Sequence, residues 1–241
     1  MGSHLYNSQL GKVVWFARRF GAGELLFKPL RCAFAPLIIP RLSKAEFEFD
    51  GKSLSLFYHH YNMTWANERA VEVPIAADFL RRSAGKRVLE VGNVLSHYGD
   101  VDHTILDKYE RGTGILNQDI ADYSPAEQFD LVLSISTFEH IGFDDETDGD
   151  SGEKIAQAIA TCRGLLTTNG QLVITLPLGY NPALDRMIAE EQLGSDRATF
   201  LKRTGRLAWQ AVDVDAALAC RYRSPFPYAN AVMVAEFGRA A

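Results

Sequence analysis

Short apolar runs alternate with helix-like stretches along the middle of the chain. The runs are rich in Val, Ile and Leu and lie at residues 88–91, 103–107, 114–116, 129–135 and 171–176. Such runs are typical of strands buried on both faces of a parallel sheet. Helical spacing at residues 155–166, and at 68–80 with an interruption near Pro74, predicts helices between the strands. The pattern therefore predicts an α/β, doubly wound sheet.

Two later apolar runs, at residues 209–214 and 231–237, could close the sheet as an edge hairpin. With them the sheet is predicted to be mostly parallel and seven-stranded. The stretch that precedes them is long, polar and partly helical. Residues 178–208 are therefore expected to form an insertion over the ligand site.

The beginning of the chain does not follow the strand–helix alternation. Residues 46–58 alternate apolar and polar positions around Asp50-Gly51, which predicts a β-hairpin. We expect residues 1–70 to form an N-terminal extension or lid, and residues 71–241 to form the main domain.

Charge is unevenly distributed along the 241 residues, which carry a net charge of -5 at pH 7. Residues 1–44 have a net charge of +6, so residues 45–241 have a net charge of -11. The whole chain has no basic surplus, so no nucleic-acid partner is expected. Residues 9–40 could contact a membrane surface, or could form a helix that packs on the body with its basic ends in solvent.

The three cysteines are far apart and have no CxxC spacing. This argues against a disulfide framework or a zinc site and favours a reducing compartment, so a cytoplasmic location is expected. No apolar run is long enough to span a bilayer.

Acidic and small residues follow the predicted strands at their carboxyl ends. Glu90 and Gly92 end the first strand, Asp107 the second, and Asp119 lies in a later turn. Ligands of open parallel sheets bind at these ends, and a carboxylate there can accept both ribose hydroxyls of a nucleotide. The alternative is that these are ordinary turn residues.

Several segments of residues 72–177 resemble class I S-adenosylmethionine-dependent methyltransferases. The matching segments are Arg87–Asn93, Ile105–Asp107, Gln118–Ile120, Phe129–Ser134, Ser136–Ile141 and Leu165–Thr175. The resemblance implies a Rossmann-like methyltransferase fold that binds S-adenosylmethionine. It places the cofactor against Glu90, Gly92, Asn93, Asp107, Asp119, Ile120, Ser134 and Ser136.

The roles implied by the resemblance differ along the site. Asp107 would hold the ribose and Ile120 would flank adenine, while the methionine end would pass Gly92. The family's loop reads Glu-x-Gly-x-Gly-x-Gly, but Val94 and Ser96 stand where glycines are expected. This departure leaves open a catalytically silent nucleotide-binding or scaffold protein on the same fold.

His140 is the candidate base, because histidine titrates near neutral pH and can take a hydroxyl proton. Glu139 is the second catalytic candidate, although the pair could instead cap the next helix. An acidic loop at 144–153 could hold a divalent metal such as magnesium, but Ile155 stands where a calcium loop needs glutamate. We therefore assign no metal ligands and favour a solvated loop.

Aromatic and polar residues before the first helix and after the fifth strand could face an acceptor. These candidates are Tyr61, Trp65, Asn67, Arg69, Tyr180 and Asn181. A packed extension is the alternative for the first four.

The sequence thus predicts a methyltransferase that acts on oxygen of a small polar acceptor such as a sugar, glycan or secondary metabolite. Nitrogen is less expected, because no Asn/Asp-Pro-Pro-Tyr/Phe motif follows the fourth strand. The rivals are the silent protein, an NAD-dependent oxidoreductase, and an enzyme working at a membrane surface.

Overall fold

The computed structural model describes residues 13–14, 22–144 and 151–239. The helices bounded within these residues are α1 (Ala22–Ile38), α2 (Arg69–Arg82), α3 (Ser151–Gly164), α4 (Pro182–Ala189) and α5 (Val214–Leu218). The first two strands, β1 (Glu46–Phe49) and β2 (Lys52–Ser55), form a separate hairpin. The remaining strands are β3 (Val88–Val91), β4 (Thr104–Leu106), β5 (Ile115–Leu116), β6 (Phe129–Ile135), β7 (Leu166–Pro177), β8 (Arg197–Gly205), β9 (Ala208–Val212) and β10 (Ala231–Gly238).

The main sheet has eight strands in the order β5-β4-β3-β6-β7-β10-β8-β9. Strands β5, β4, β3, β6 and β7 are parallel, while the pairs β7–β10, β10–β8 and β8–β9 are antiparallel. Helix α2 and the hairpin contribute to the core on one face, and α3, α4 and α5 to the core on the other. The predicted α/β doubly wound, mostly parallel sheet is confirmed, with eight strands rather than seven.

The extra strand, β8, occupies the second half of the expected 178–208 insertion. It was missed because Arg197, Lys202 and Arg203 interrupt its apolar positions. The expected edge hairpin of residues 209–214 with residues 231–237 is wrong, because β9 pairs with β8, and β10 lies between β7 and β8.

The predicted interruption of α2 at Pro74 is wrong, because the helix continues from Arg69 to Arg82. Proline has no N–H to donate to the carbonyl four residues earlier. That carbonyl, on Ala70, instead accepts a hydrogen bond of 2.9 Å from the N–H of Phe57. A neighbouring chain segment therefore satisfies the group that the proline leaves open.

The predicted hairpin at residues 46–58 is confirmed, and Asp50 and Gly51 both have positive φ, as a tight hairpin turn requires. Phe47 and Phe49 are buried in the core against α2. Part of the expected extension therefore belongs to the main core. Within the described ranges, no helix is long and apolar enough to cross a membrane.

Candidate active site

A cavity of about 250 Å³ lies at the carboxyl ends of β3, β4 and β6. Six residues predicted from the sequence line it, namely Gly92, Asn93, Asp107, Asp119, Ile120 and His140. The strand order explains this meeting, because β4, β3 and β6 are neighbours and their parallel ends share one edge. The structure thus brings together residues that are up to 48 positions apart in the chain.

The loop after β3 is held in shape by Glu90. One carboxylate oxygen accepts hydrogen bonds of 2.9 Å from the N–H groups of Val94 and Leu95. The other lies 2.7 Å from Nε2 of His103. Glu90 is fully buried and is not part of the cavity wall, so it supports the loop rather than facing the cavity.

Gly92 is the point of closest approach between this loop and the segment that follows β6. Its φ is +88°, a conformation that side chains disfavour. A Cβ atom at this position would lie 2.1 Å from Oγ1 of Thr137. Glycine is therefore required here for both conformation and space.

The two departures from the family's glycine pattern have defined places. Val94 forms part of the cavity wall. Ser96 is not in that wall, and its hydroxyl donates a hydrogen bond of 2.5 Å to Oδ1 of Asn93. Together with the contacts of Glu90, this bond shapes the loop that lacks the second and third glycines.

Asp107 is held by three backbone N–H groups. Oδ2 accepts from Asn93 at 3.0 Å, and Oδ1 accepts from Tyr109 at 2.8 Å and from Glu110 at 2.7 Å. A carboxylate has about four acceptor positions, and the described residues use three of those of Asp107, which leaves one on Oδ2 for a ligand hydroxyl. The carboxylate therefore joins the β3 loop to the β4 turn and presents an acceptor to the cavity.

Asp119 faces Lys108 across 3.0 Å, and both residues line the cavity. Partial burial raises the pKa of Asp119, but the N–H of Ala121 and the Lys108 ammonium lower it more, so the net pKa is below its usual value. Asp119 thus stays ionised near neutral pH.

A hydrogen-bonded network of polar side chains extends from the cavity wall. His140 bonds through Nδ1 to Oδ2 of Asp144, and the hydroxyl of Tyr180 donates to the same oxygen at 2.6 Å. This arrangement fixes the imidazole and leaves Nε2 as the second nitrogen, 3.4 Å from Oε1 of Glu139. Burial lowers the pKa of His140, but the carboxylates of Glu139 and Asp144 raise it more, so the net shift is upward.

Glu139 lies beside this network of polar side chains and is 2% exposed. Burial raises the pKa of its carboxyl to about 7, against a smaller lowering by His140. Its Oε2 atom has no hydrogen-bond partner in the described part of the chain. The Glu139 carboxyl therefore changes charge near neutral pH, next to the cavity residue His140.

The two predicted serines lie away from the cavity wall. Ser134 donates to the carbonyl of Val91 at 2.8 Å and so joins β6 to β3. Ser136 donates to Oε1 of Glu72 at 2.6 Å, and Glu72 pairs with Arg69 at 2.5 Å through its other oxygen. The cofactor role of the serines remains a prediction.

The acceptor candidates divide into exposed and structural residues. Tyr61 is 43% exposed, and its ring stacks on His97 with centroids 4.5 Å apart. Trp65 is buried against α1. Asn67 is also buried, and its side chain bonds to the carbonyl of Asn62 and to the N–H of Arg69.

Asn181, the last of these candidates, caps the N-terminus of α4. Its side-chain oxygen accepts from the N–H groups of Ala183 and Leu184. Its amide donates to the backbone carbonyl of Glu139 at 2.9 Å. Asn181 is therefore a link that positions Glu139, and its contact with an acceptor remains a prediction.

Some cavity residues were missed by the sequence analysis. These are Lys108, Tyr109, Gln118, Thr137, Ile141 and, as a wall residue, Asp144. The one available signal was adjacency, because Lys108, Gln118 and Thr137 each directly adjoin a residue that was predicted for the cofactor site.

The acidic loop that could hold a metal lies mostly in residues 145–150, outside the described residues. Among the residues that the structure describes, no group of three His, Cys, Asp or Glu side chains could hold a metal ion. Asp144, which is described, bonds to His140 and Tyr180.

No protein-family model matches the sequence, and no curated protein matches it. Solved structures do resemble the chain. One is the N-methyltransferase NodS from Bradyrhizobium japonicum in complex with S-adenosylhomocysteine, which is 15% identical, with 72% of this chain and 88% of that chain covered and a TM-score of 0.45.

Two further solved structures are also described as methyltransferases. A TehB-like S-adenosylmethionine-dependent enzyme from Corynebacterium glutamicum is 18% identical over 68% of this chain and 86% of that chain, with a TM-score of 0.36. An amino pentose methyltransferase from Micromonospora echinaspora is 17% identical over 49% of this chain and 56% of that chain, with a TM-score of 0.31. The strand order of this chain itself shows the Rossmann-like fold.

Proposed function

We propose that this protein is an S-adenosylmethionine-dependent methyltransferase that methylates an oxygen of a small polar acceptor such as a sugar, glycan or secondary metabolite. The observation that carries the proposal is the single cavity at the strand ends, where Gly92, Asp107 and Asp119 meet His140. Nucleotide-binding groups and a candidate base thus share one wall.

The residues of the cavity fit the parts of the cofactor. The remaining acceptor position of Asp107 suits a ribose hydroxyl, and the wall at Gln118 and Ile120 supplies an amide and an apolar side chain for adenine. Gly92 lets the chain pass close to the ligand. The bound cofactor supplies an electrophilic sulfonium methyl group.

The protein's own contribution is to position the acceptor and to accept its proton. His140 Nε2, the nitrogen that is not bonded to Asp144, would take the proton of an acceptor hydroxyl held in line with that methyl group. Asp144 fixes the imidazole and stabilises its charged form. Glu139, with its pKa raised to about 7, adds a second negative charge beside the ring.

The rate is expected to depend on pH through this pair. A base acts when it is unprotonated, and the carboxylates raise the pKa of His140, so kcat/KM should rise with pH through neutrality. Glu139→Gln removes one of those charges, which lowers the pKa of His140 and moves the rise to lower pH. The measurement is the pH profile of kcat/KM for both proteins, with Glu153→Gln on exposed α3 surface as the control. An unmoved profile in Glu139→Gln would show that this pair does not set the rate.

Tyr180→Phe should lower kcat without weakening cofactor binding. The hydroxyl of Tyr180 donates to the Asp144 oxygen that holds His140, and the loss of such a bond costs about 1.5 kcal/mol, roughly a tenfold change. Tyr123→Phe, at a half-buried position outside the cavity wall, is the matched control. A changed dissociation constant with an unchanged kcat would place Tyr180 at the cofactor instead.

The proposed transfer is tested by formation of S-adenosylhomocysteine with matched pairs of acceptors that differ in one group. A glycoside and its amino analogue provide such a pair. Product from the hydroxyl compound supports the oxygen assignment, and product only from the amine would replace oxygen by nitrogen. Cofactor binding without product from any acceptor would favour the catalytically silent alternative.

A further inference from the structure

Helix α1 presents an apolar face to solvent. Phe27, Leu30, Phe34 and Leu37 are each more than half exposed, at 55%, 52%, 53% and 56%. Their spacing of three, four and three residues places them on one side of the helix. A contiguous apolar face of this kind marks an interaction surface more often than a chance exposure.

The helix is fixed to the body by a different side. Ala35 is fully buried in a small cluster with Met63, Trp65 and Tyr228. The exposed apolar face is therefore held by a packed contact, and it is separate from the cavity that holds the candidate active site.

Basic residues border the apolar face. The face forms a groove with Ile38 and Leu42, and Arg31 and Arg41 are the two charged residues that line it. Lys28 and Lys44 lie nearby in the chain, and Glu24 is the one acid in residues 1–44. The rest of the chain, with its net charge of -11, has the opposite sign.

We infer that α1 is an interfacial helix that binds an anionic lipid surface. Exposed Phe and Leu side chains can enter the boundary between headgroups and acyl chains, while bordering Arg and Lys side chains attract anionic headgroups. The acidic body is repelled from the same surface, so the charge distribution also fixes the orientation. This inference does not depend on methyl transfer.

A second copy of the chain is a poorer occupant of this face. In a symmetric dimer the same patch meets itself, so Arg31 and Arg41 of both copies would be brought together. Like charges at the edge of a contact disfavour it. An anionic lipid surface satisfies both the apolar and the basic parts of the face.

The test is co-sedimentation of the full-length protein with vesicles of phosphatidylcholine alone and of phosphatidylcholine with phosphatidylserine. Binding is expected with phosphatidylserine, and it should weaken as salt screens the charges. Phe34→Glu with Leu37→Glu should reduce binding by at least roughly tenfold, because two acidic groups replace apolar ones at the interface. Val214→Glu, which also adds an acid at an exposed apolar position, should leave binding unchanged.

A second variant pair tests the charge contribution. Arg31→Gln with Arg41→Gln should also lower binding about tenfold, whereas Lys86→Gln with Arg206→Gln makes the same charge change at exposed positions elsewhere and should not. Circular dichroism of each variant shows whether it is folded. Absence of binding to phosphatidylserine vesicles, or equal loss in variants and controls, would overturn the inference. If the wild-type protein binds no lipid but forms a dimer, and this dimer dissociates in the variant Phe34→Glu with Leu37→Glu, the face would be assigned to a second copy.

Discussion

Gly92→Ala is expected to abolish measurable cofactor binding and to destabilise the fold. The new Cβ would lie 2.1 Å from Oγ1 and 2.9 Å from Cγ2 of Thr137, so either the β3 loop or the segment after β6 must move. The positive φ of Gly92 adds about 1–2 kcal/mol of backbone strain. We expect an affinity loss of at least roughly 100-fold, because both displaced segments form the cavity wall.

Gly114→Ala is the matched control for this prediction. Gly114 has a φ of +82°, close to that of Gly92, but a Cβ there would meet nothing within 4 Å. The control therefore has the same backbone strain without the collision, and it should retain cofactor affinity. Thr137→Ala in the Gly92→Ala background removes Oγ1 and Cγ2 and should recover part of the loss. Calorimetric titration and thermal unfolding measure both effects, and equal losses in the two alanine variants would exclude the collision as the cause.

Asp107→Ala is expected to weaken cofactor binding by about 100-fold. The change removes the acceptor offered to the ribose and leaves the N–H groups of Asn93, Tyr109 and Glu110 without this partner. Hydrogen bonds to a charged group contribute about 1.5–3 kcal/mol each, so loss of the ligand bond and of loop order together accounts for this magnitude. The measurement is the dissociation constant for S-adenosylhomocysteine.

A 2′-deoxy analogue separates the two contributions of Asp107. The wild-type protein should bind the analogue more weakly than S-adenosylhomocysteine, whereas Asp107→Ala should bind both equally. Asp102→Ala, at an exposed aspartate in the segment before β4, is the control and should behave as wild type. If Asp107→Ala still discriminates between the two ligands, the ribose is held by another group.

The parallel half of the sheet could be predicted from the sequence because its strands are buried on both faces. Strand β6 shows this clearly, since six of its seven residues are buried and apolar positions dominate it. Strand β8 could not be predicted in the same way. Its charged residues weaken the alternation of apolar and polar positions, and only its pairing with β10 and β9 defines it as a strand.

The candidate site was partly predictable for a related reason. Residues directly after buried strands, such as Gly92 and Asp107, must lie at the carboxyl edge of a parallel sheet. The direction in which a side chain points could not be predicted in this way. Ser136 follows β6 but bonds to Glu72, on a helix 64 residues earlier, and nothing local in the sequence indicates that contact.

The support of the loop after β3 was equally hidden. Glu90 was expected at the cofactor, yet its carboxylate bonds to backbone N–H groups of its own loop and to His103. Contacts between residues so close in the sequence depend on the backbone conformation of the loop. The altered glycine pattern did not predict that conformation.

The cavity at Gly92, Asp107 and Asp119 is expected to bind S-adenosylmethionine despite the altered glycine loop. Isothermal titration of the full-length protein with S-adenosylmethionine and S-adenosylhomocysteine, with NAD as the control ligand, tests it most directly. We expect binding of the first two in the micromolar range and no binding of NAD. Heat from NAD alone, or from none of the three ligands, would contradict it.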